Sequence, residues 1–368
     1  MGTHFSIMNK DVRVLDFSIV RDLYTLNFSM NTIYKSNQIP LSIKTKFKDL
    51  RTWIESRYIL ACRNDTLNFF KNLGIDTVED FITITKCVSL NDTYWVKPVQ
   101  SKISWKAVSP YRNPINKNIS DFSFNNKLCT KNIGSSPDFS TDGNFPKCWK
   151  RINEQIFLLK AGTSGYKKAG NEAYSEVFAY QLAKFLNLDC IEYTLTQYKG
   201  IDTSKCKLIC DENTGIISLR QYINNSSTDF KYLVEKFNDV FVHKMLIFDY
   251  LTCNVDRHFG NIWLFINNDT QKVSGFTPVG DNNLSCIPYY TEDEDLYYYI
   301  NDIRAKDGRT WKELLLLIDK EIAKSIIHKA SKFRFRPLGN IKADKRVEIL
   351  NNMLQYQIKE AIKILGDK

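Results

Sequence analysis

The chain has 368 residues, 43% of them apolar and 13% aromatic, enough to build two or three packed units and too apolar for a disordered protein. Its 51 Lys and Arg against 41 Asp and Glu give a formal charge of +10, which suits polyanions such as nucleotides, nucleic acid or an anionic surface, although the lysines are spread along the chain as on a solvated surface. No run approaches the roughly 20 apolar residues of a membrane span, and the nine cysteines show no disulfide-scaffold or zinc spacing.

In chain order, the start MGTHFSIMNKDVRV has no apolar stretch behind its charges, so synthesis in the cytoplasm is expected, with non-classical export left open. "FKDLRTWIESRYI" and "TLNFFKNLGIDTVEDFITITK" have helical apolar spacing, and "SLNDTYWVKPV" reads as a strand. These make residues 1–125 a small accessory domain of open role. The Asn, Ser and Pro-rich stretch from Ser109 to Ser140 reads as a connection.

Strand signals follow at Phe145 to Trp149 and in "QIFLLKAG", which carries Lys160. The helix "GNEAYSEVFAYQLAKFL" puts Phe178, Leu182, Phe185 and Leu186 on one face. Strands "IEYTLTQY" and "KCKLIC" flank "KGIDTS", read as a turn. A long helical stretch, "DFKYLVEKFNDVFVHKMLIFDYLT", has Leu233, Phe237, Val240, Phe241 and Phe248 as a core stripe. A last helix has Val347, Leu350, Leu354, Ile358, Ile362 and Leu365 as its own. The expected fold is α+β and bilobal, like a protein kinase. A strand-rich N-lobe over 126–212 and a helical C-lobe over 213–368 follow the accessory domain.

Between the two helical stretches lies "NVDRHFGNIWLF", residues 254–265, followed by a hairpin that ends at Gly280 and Asp281. A hairpin brings its ends together, so Asn261 and Asp281 can approach one Mg²⁺, which needs few protein oxygens. Asp256 is then free to orient or deprotonate an attacking hydroxyl. This is the division of labour of phosphoryl transfer. The same template asks for a strand lysine, met by Lys160, and a helix glutamate, with Glu172 and Glu176 a turn apart. It also asks for a glycine turn, met by Gly143.

Those residues resemble the HipA-like serine/threonine kinases, a family that includes a cell-translocating relative, over about residues 135–290. The family's Asp-x-His-x-x-Asn loop is matched by Asp256, His258 and Asn261, and its metal-binding aspartate by Asp281. Its glutamate six residues before Leu-Ala-Lys is matched by Glu176, which favours that residue over Glu172. Its Ser-x-x-Gly-x-x-x-Lys loop is matched by Ser140, Gly143 and Lys147. The resemblance implies an ATP- and Mg²⁺-dependent kinase with Asp256, Lys160 and Glu176 as its catalytic set. Autophosphorylation at Ser140 is implied too, with Thr141, Thr163 and Ser164 as competitors. The "LICDEN" segment, with Ile209 and Asp211, falls where a hinge would bind adenine. His258 is read as a structural brace, while Arg257 is left between steadying a phosphate and facing solvent.

Asn282 and Asn283 replace the Phe-Gly of ordinary protein kinases after the metal aspartate. Two rivals remain: a phosphatidylinositol-type lipid kinase, whose Asp-Arg-His-x-x-Asn loop fits equally, and a non-catalytic toxin–antitoxin component. The expected partners are a Ser/Thr protein substrate and an antitoxin-like protein, with nucleic acid reached only indirectly.

Overall fold

The computed structural model describes residues 2–21, 26–43, 48–57, 70–71, 73–116, 123–124, 135–141, 145–164, 169–225 and 227–366. In chain order these form β1 (Thr3–Asn9), β2 (Val12–Arg21), β3 (Leu26–Ile33), α1 (Lys48–Glu55), α2 (Val78–Thr85), β4 (Tyr94–Pro98), α3 (Trp105–Val108), β5 (Lys147–Ile152) and β6 (Gln155–Ala161). Next come α4 (Glu172–Leu186), β7 (Tyr193–Tyr198), β8 (Ile201–Lys207), β9 (Thr214–Ser218), α5 (Leu219–Ile223), α6 (Phe230–Phe237) and α7 (Val240–Thr252). The remainder is β10 (Trp263–Asn267), β11 (Val273–Phe276), α8 (Leu296–Asp302), α9 (Trp311–Leu316), α10 (Lys320–Ala330), α11 (Ile341–Asp344) and α12 (Val347–Leu365). Among the described residues no helix is long and apolar enough to cross a membrane.

Two compact units interleave along the chain. One comprises residues 1–159, 207–217 and 264–275, and the other 160–206, 218–263 and 276–368.

The first unit is built on an antiparallel sheet of order β3-β2-β1-β4. Phe5 opposes Phe17, and Ile7 opposes Leu15 on one side and Val96 on the other. These side chains alternate along their strands and fill one core with Trp53, Phe81 and Phe139. Three of these strands are a correction to the sequence reading, which placed one strand in this region. Ser6, Asp16 and Ser18 are buried on the other face and blur the period-two pattern, because Ser6 and Arg13 satisfy the Asp16 carboxylate there at 2.7 and 2.8 Å. Helix α2 opens on a capping box in which Thr77 and Asp80 exchange hydrogen bonds at 3.0 and 3.1 Å.

The same unit gathers the 207–217 segment and the hairpin tip. Glu212 accepts from the Trp105 indole at 2.5 Å and from the Arg112 guanidinium at 2.7 Å, while Asn9 Nδ2 donates to the Asn268 carbonyl at 2.6 Å. In β9, a Cβ on Gly215 would lie 2.6 Å from the Asn91 carbonyl oxygen and 2.5 Å from Asn268 Oδ1. Gly215→Ala is therefore expected to cost about 1–3 kcal/mol in a denaturant titration, because a backbone oxygen cannot swing aside.

In the second unit β7 and β8 pair antiparallel from Tyr193↔Cys206 to Tyr198↔Ile201. The turn is only Lys199 and Gly200, both at positive φ (52° and 78°), so Ile201 to Ser204 are strand rather than the turn expected of "KGIDTS". The long helical stretch is also corrected. It breaks at Asn238, which is left-handed (φ 43°), and Asp239 caps α7 by accepting from Phe241 N–H at 2.8 Å. Leu233 and Phe248 are buried, whereas Val240, at the first turn of α7, is 53% exposed. On the expected apolar faces, Phe185 and Ile362 are likewise exposed, Phe185 resting its ring against Phe333.

Candidate active site

Five predicted residues, Lys160, Glu176, Asp256, Asn261 and Asp281, belong to the second unit. Lys160 stands at the end of β6, and its Nζ donates to Glu176 Oε1 at 2.7 Å and to Asp281 Oδ1 at 2.9 Å. Glu176 is fully buried on α4, and its other oxygen accepts from Ser204 Oγ on β8. Burial alone would lower the Lys160 pKa, but the two carboxylates outweigh it and hold the ammonium well above its ordinary range. Glu172, the other helix candidate, is occupied elsewhere. It accepts from Thr163 Oγ1 at 2.6 Å, Gly170 N–H at 3.1 Å and Tyr289 Oη at 2.9 Å, which fastens the segment after β6.

Asp281 is placed by the start of β7. Val279 N–H donates to the Asp189 carbonyl and Ile191 N–H to the Val279 carbonyl, at 2.9 and 2.8 Å, and the Asp281 N–H reaches the Tyr193 phenol oxygen at 3.0 Å. Asp281 itself is left-handed, at φ 54°. Short polar side chains bear that conformation best.

The loop bearing Asp256 begins where Cys253, also left-handed (φ 52°), ends α7. Asn254 accepts from Asp256 N–H at 3.0 Å, and the Asp256 carbonyl accepts from His258 N–H at 2.7 Å and from Asn261 Nδ2 at 2.9 Å. With its amide nitrogen so engaged, Asn261 has Oδ1 as the atom to offer a cation. Among the described residues no cluster of three His, Cys, Asp or Glu forms a metal cage. One amide oxygen and one carboxylate nonetheless fit Mg²⁺, which takes most of its shell from water and phosphate.

Arg257 neither faces solvent nor waits for a phosphate. Its side chain is 1% exposed and holds Asp249 at 3.0 Å through both Nε and Nη2, the Gly280 carbonyl and Asn282 Oδ1 at 2.6 Å, and the Asn261 carbonyl at 3.2 Å. One guanidinium thus joins the ends of the segments that carry Asn261 and Asp281. Asn282, directly after Asp281, serves as an acceptor for this arginine. His258 is partly buried, with Nε2 3.9 Å from Asp256 Oδ2. Burial lowers its pKa, and Arg220 and Lys306 add to that against the pull of Asp256, which favours the neutral imidazole.

Lys306 was not foreseen. Its Nζ lies 2.6 Å from Asp256 Oδ1, brought there from a turn fifty residues downstream that no local spacing signals.

Ser140, Lys147, Ile209 and Asp211 belong to the first unit, and Gly143 lies outside the described residues. Ser140 is buried, its Oγ donating to the Pro137 carbonyl at 2.9 Å, and Lys147 is buried at the start of β5. The Asp211 N–H is engaged by the Thr214 carbonyl at 2.9 Å and its own carbonyl by Asn268 Nδ2 at 3.2 Å. Of the two expected adenine contacts, Asp211 thus already spends its backbone groups on Thr214 and Asn268.

No protein-family model and no curated protein matches the sequence. Among solved structures the chain is similar to one from the Shewanella oneidensis MR-1 toxin–antitoxin system of HipA, HipB and its operator DNA, at 12% identity and a TM-score of 0.58, over 99% of this chain and 100% of that one. It is also similar to the Helicobacter pylori proinflammatory kinase CtkA, at 18% identity and a TM-score of 0.46 over 61% of this chain and 91% of that one. A Golgi casein kinase matches at 12% identity and a TM-score of 0.32, over 62% and 71% of the two chains. The full-length likeness to HipA establishes the fold: mixed α and β, and HipA-like.

Proposed function

We propose that the chain is an ATP- and Mg²⁺-dependent kinase that transfers the γ-phosphoryl group to a Ser or Thr hydroxyl of a protein. The observation that carries this reading is the buried Lys160, held between Glu176 and Asp281 at 2.7 and 2.9 Å. A buried ammonium shared by two carboxylates is a costly arrangement. It has a use where phosphates are to be received.

Lys160 holds the α- and β-phosphates, and Glu176 fixes Lys160. Asn261 Oδ1 and the Asp281 carboxylate would hold the metal, which would supply positive charge to offset that of the nucleotide phosphates. Asp256 takes the proton of the acceptor hydroxyl as its oxygen bonds to the γ-phosphorus and the bond to ADP breaks. The match of Ser140, Gly143 and Lys147 to a Ser-x-x-Gly-x-x-x-Lys sequence supports Ser140 as a candidate autophosphorylation site, with Thr141, Thr163 and Ser164 as competitors. The likeness to HipA, whose structure includes HipB, supports a protein partner of antitoxin type for this chain.

The test is intact mass after incubation with ATP and Mg²⁺, alone and with a Ser/Thr peptide mixture, alongside nucleotide titration calorimetry. Added phosphate on the chain or the peptides supports the reading. A chain that binds no adenine nucleotide contradicts it, and transfer to phosphoinositide vesicles instead of peptides favours the lipid-kinase alternative. Lys160→Met should weaken ATP binding by about 10–10²-fold, the worth of one or two hydrogen bonds to a charged group.

A further inference from the structure

We infer that Lys306 is a catalytic residue, the cation that contacts the transferred phosphoryl group, an assignment that rests on the kinase reading and extends it. A template for phosphoryl transfer needs positive charge beside the γ-phosphate at the moment of transfer. The cation of the catalytic loop itself, Arg257, is buried and turned inward onto Asp249, Asn282 and two carbonyls. Lys306 supplies a cation at Asp256, the carboxylate of the loop, from another part of the unit. Its Nζ is 2.6 Å from Asp256 Oδ1, and its side chain is 41% exposed, so it is open to an incoming anion.

An exposed ion pair is commonly worth little and positions nothing. This one differs in how its lysine is carried. Ala305 N–H donates to the Arg309 carbonyl and Gly308 N–H to the Ala305 carbonyl, both at 2.9 Å, which closes a turn around Lys306 with Gly308 at φ +87°. Within that turn Asp307 accepts from Phe230 N–H at 3.0 Å and is paired with Arg309. The neighbouring Thr228 Oγ1 accepts from Phe259 N–H of the catalytic loop at 3.2 Å. Lysine and aspartate thus rest on one connected backbone framework, as a preorganised pair requires.

The carboxylate is divided in consequence. Oδ1 faces Lys306, which leaves Oδ2, 3.9 Å from His258 Nε2, to receive the acceptor hydroxyl, whose oxygen must stand about 3–3.5 Å from the γ-phosphorus before attack. An ammonium bonded to that carboxylate lies beside the γ-phosphate oxygens and turns to them as charge builds. It transfers no proton.

The decisive measurement compares ATP and ADP affinity, with Mg²⁺, for the wild-type chain and for Lys306→Ala and Lys306→Arg, together with kcat and KM for any transfer detected. Lys306→Ala should keep its ADP affinity, lose its preference for ATP by about tenfold and lose about 10²-fold in kcat. Lys306→Arg should recover part of both. An unchanged ATP-to-ADP ratio in Lys306→Ala overturns the inference while leaving the kinase reading intact. A faster Lys306→Ala enzyme overturns it too, by showing the lysine to be a latch on Asp256. A wild-type chain that binds neither nucleotide removes the kinase reading and the inference with it. Equal melting temperatures for the three proteins exclude a folding defect as the source of any loss.

Discussion

Asp256→Asn should lower kcat for phosphoryl transfer by about 10²–10⁴-fold, the range associated with removing a general base, and leave ADP affinity where it was. The substitution is close to isosteric, and most of what the residue does for its loop it does through the backbone. Its carbonyl accepts from His258 and Asn261, and its N–H donates to Asn254, none of which changes with the side chain. An amide oxygen can still accept from Lys306, so the 2.6 Å pairing of the carboxylate has a partial substitute. What is lost is the ability to take a proton. Steady-state kinetics with calorimetry separates the cases. Normal turnover in Asp256→Asn would remove Asp256 from the base role, and a parallel loss of ADP binding would mean that the loop had collapsed and that the kinetic result said nothing about chemistry.

How much of this was legible beforehand differs between the chemistry and its support. The phosphoryl-transfer template points to Lys160 and to either Glu172 or Glu176, the resemblance to HipA-like kinases favours Glu176, and the structure holds Lys160 and Glu176 at 2.7 Å. Asp256 and Asn261 share one loop, and their relation is local. Arg257 was not legible, because an arginine between a carboxylate and a histidine in a polar loop looks like a surface residue. Only the inward turn of that loop buries it, and its partners Asp249, Gly280 and Asn282 are up to twenty-five positions away. Lys306 was invisible for the same reason at longer range. In the first unit, β1 and β2 were missed because polar residues fill their second face: Ser6 and Asp16 pair with each other there and need no solvent. Periodicity reports which side chains avoid water, and a satisfied polar network breaks that rule.

Arg257 should therefore be the residue whose loss does most damage to stability. Its side chain is 1% exposed, that of Asp249 is 2% exposed, and the two are held at 3.0 Å. Arg257→Met leaves Asp249 as an uncompensated buried carboxylate, and the cost of breaking such a pair is about 3–5 kcal/mol. Burial already lifts the Asp249 carboxyl above its ordinary range, against the pull of Arg257. With the arginine gone that carboxyl rises further, so the folded state binds its proton more readily than the unfolded chain does. Stability of the variant then increases as pH falls through the raised value, and the deficit measured in denaturant should be largest at neutral pH and shrink in mild acid. A second substitution tests what the pair is for. Arg257→Met with Asp249→Leu removes both charges and should recover most of the lost stability, since apolar replacements of a buried ion pair are often neutral. It should not recover transfer, because the Gly280 carbonyl and Asn282 lose the donor that fixes Asp281 beside its loop. Recovery of stability without activity would assign the arginine to positioning Asp281, and recovery of both would reduce it to a packing element.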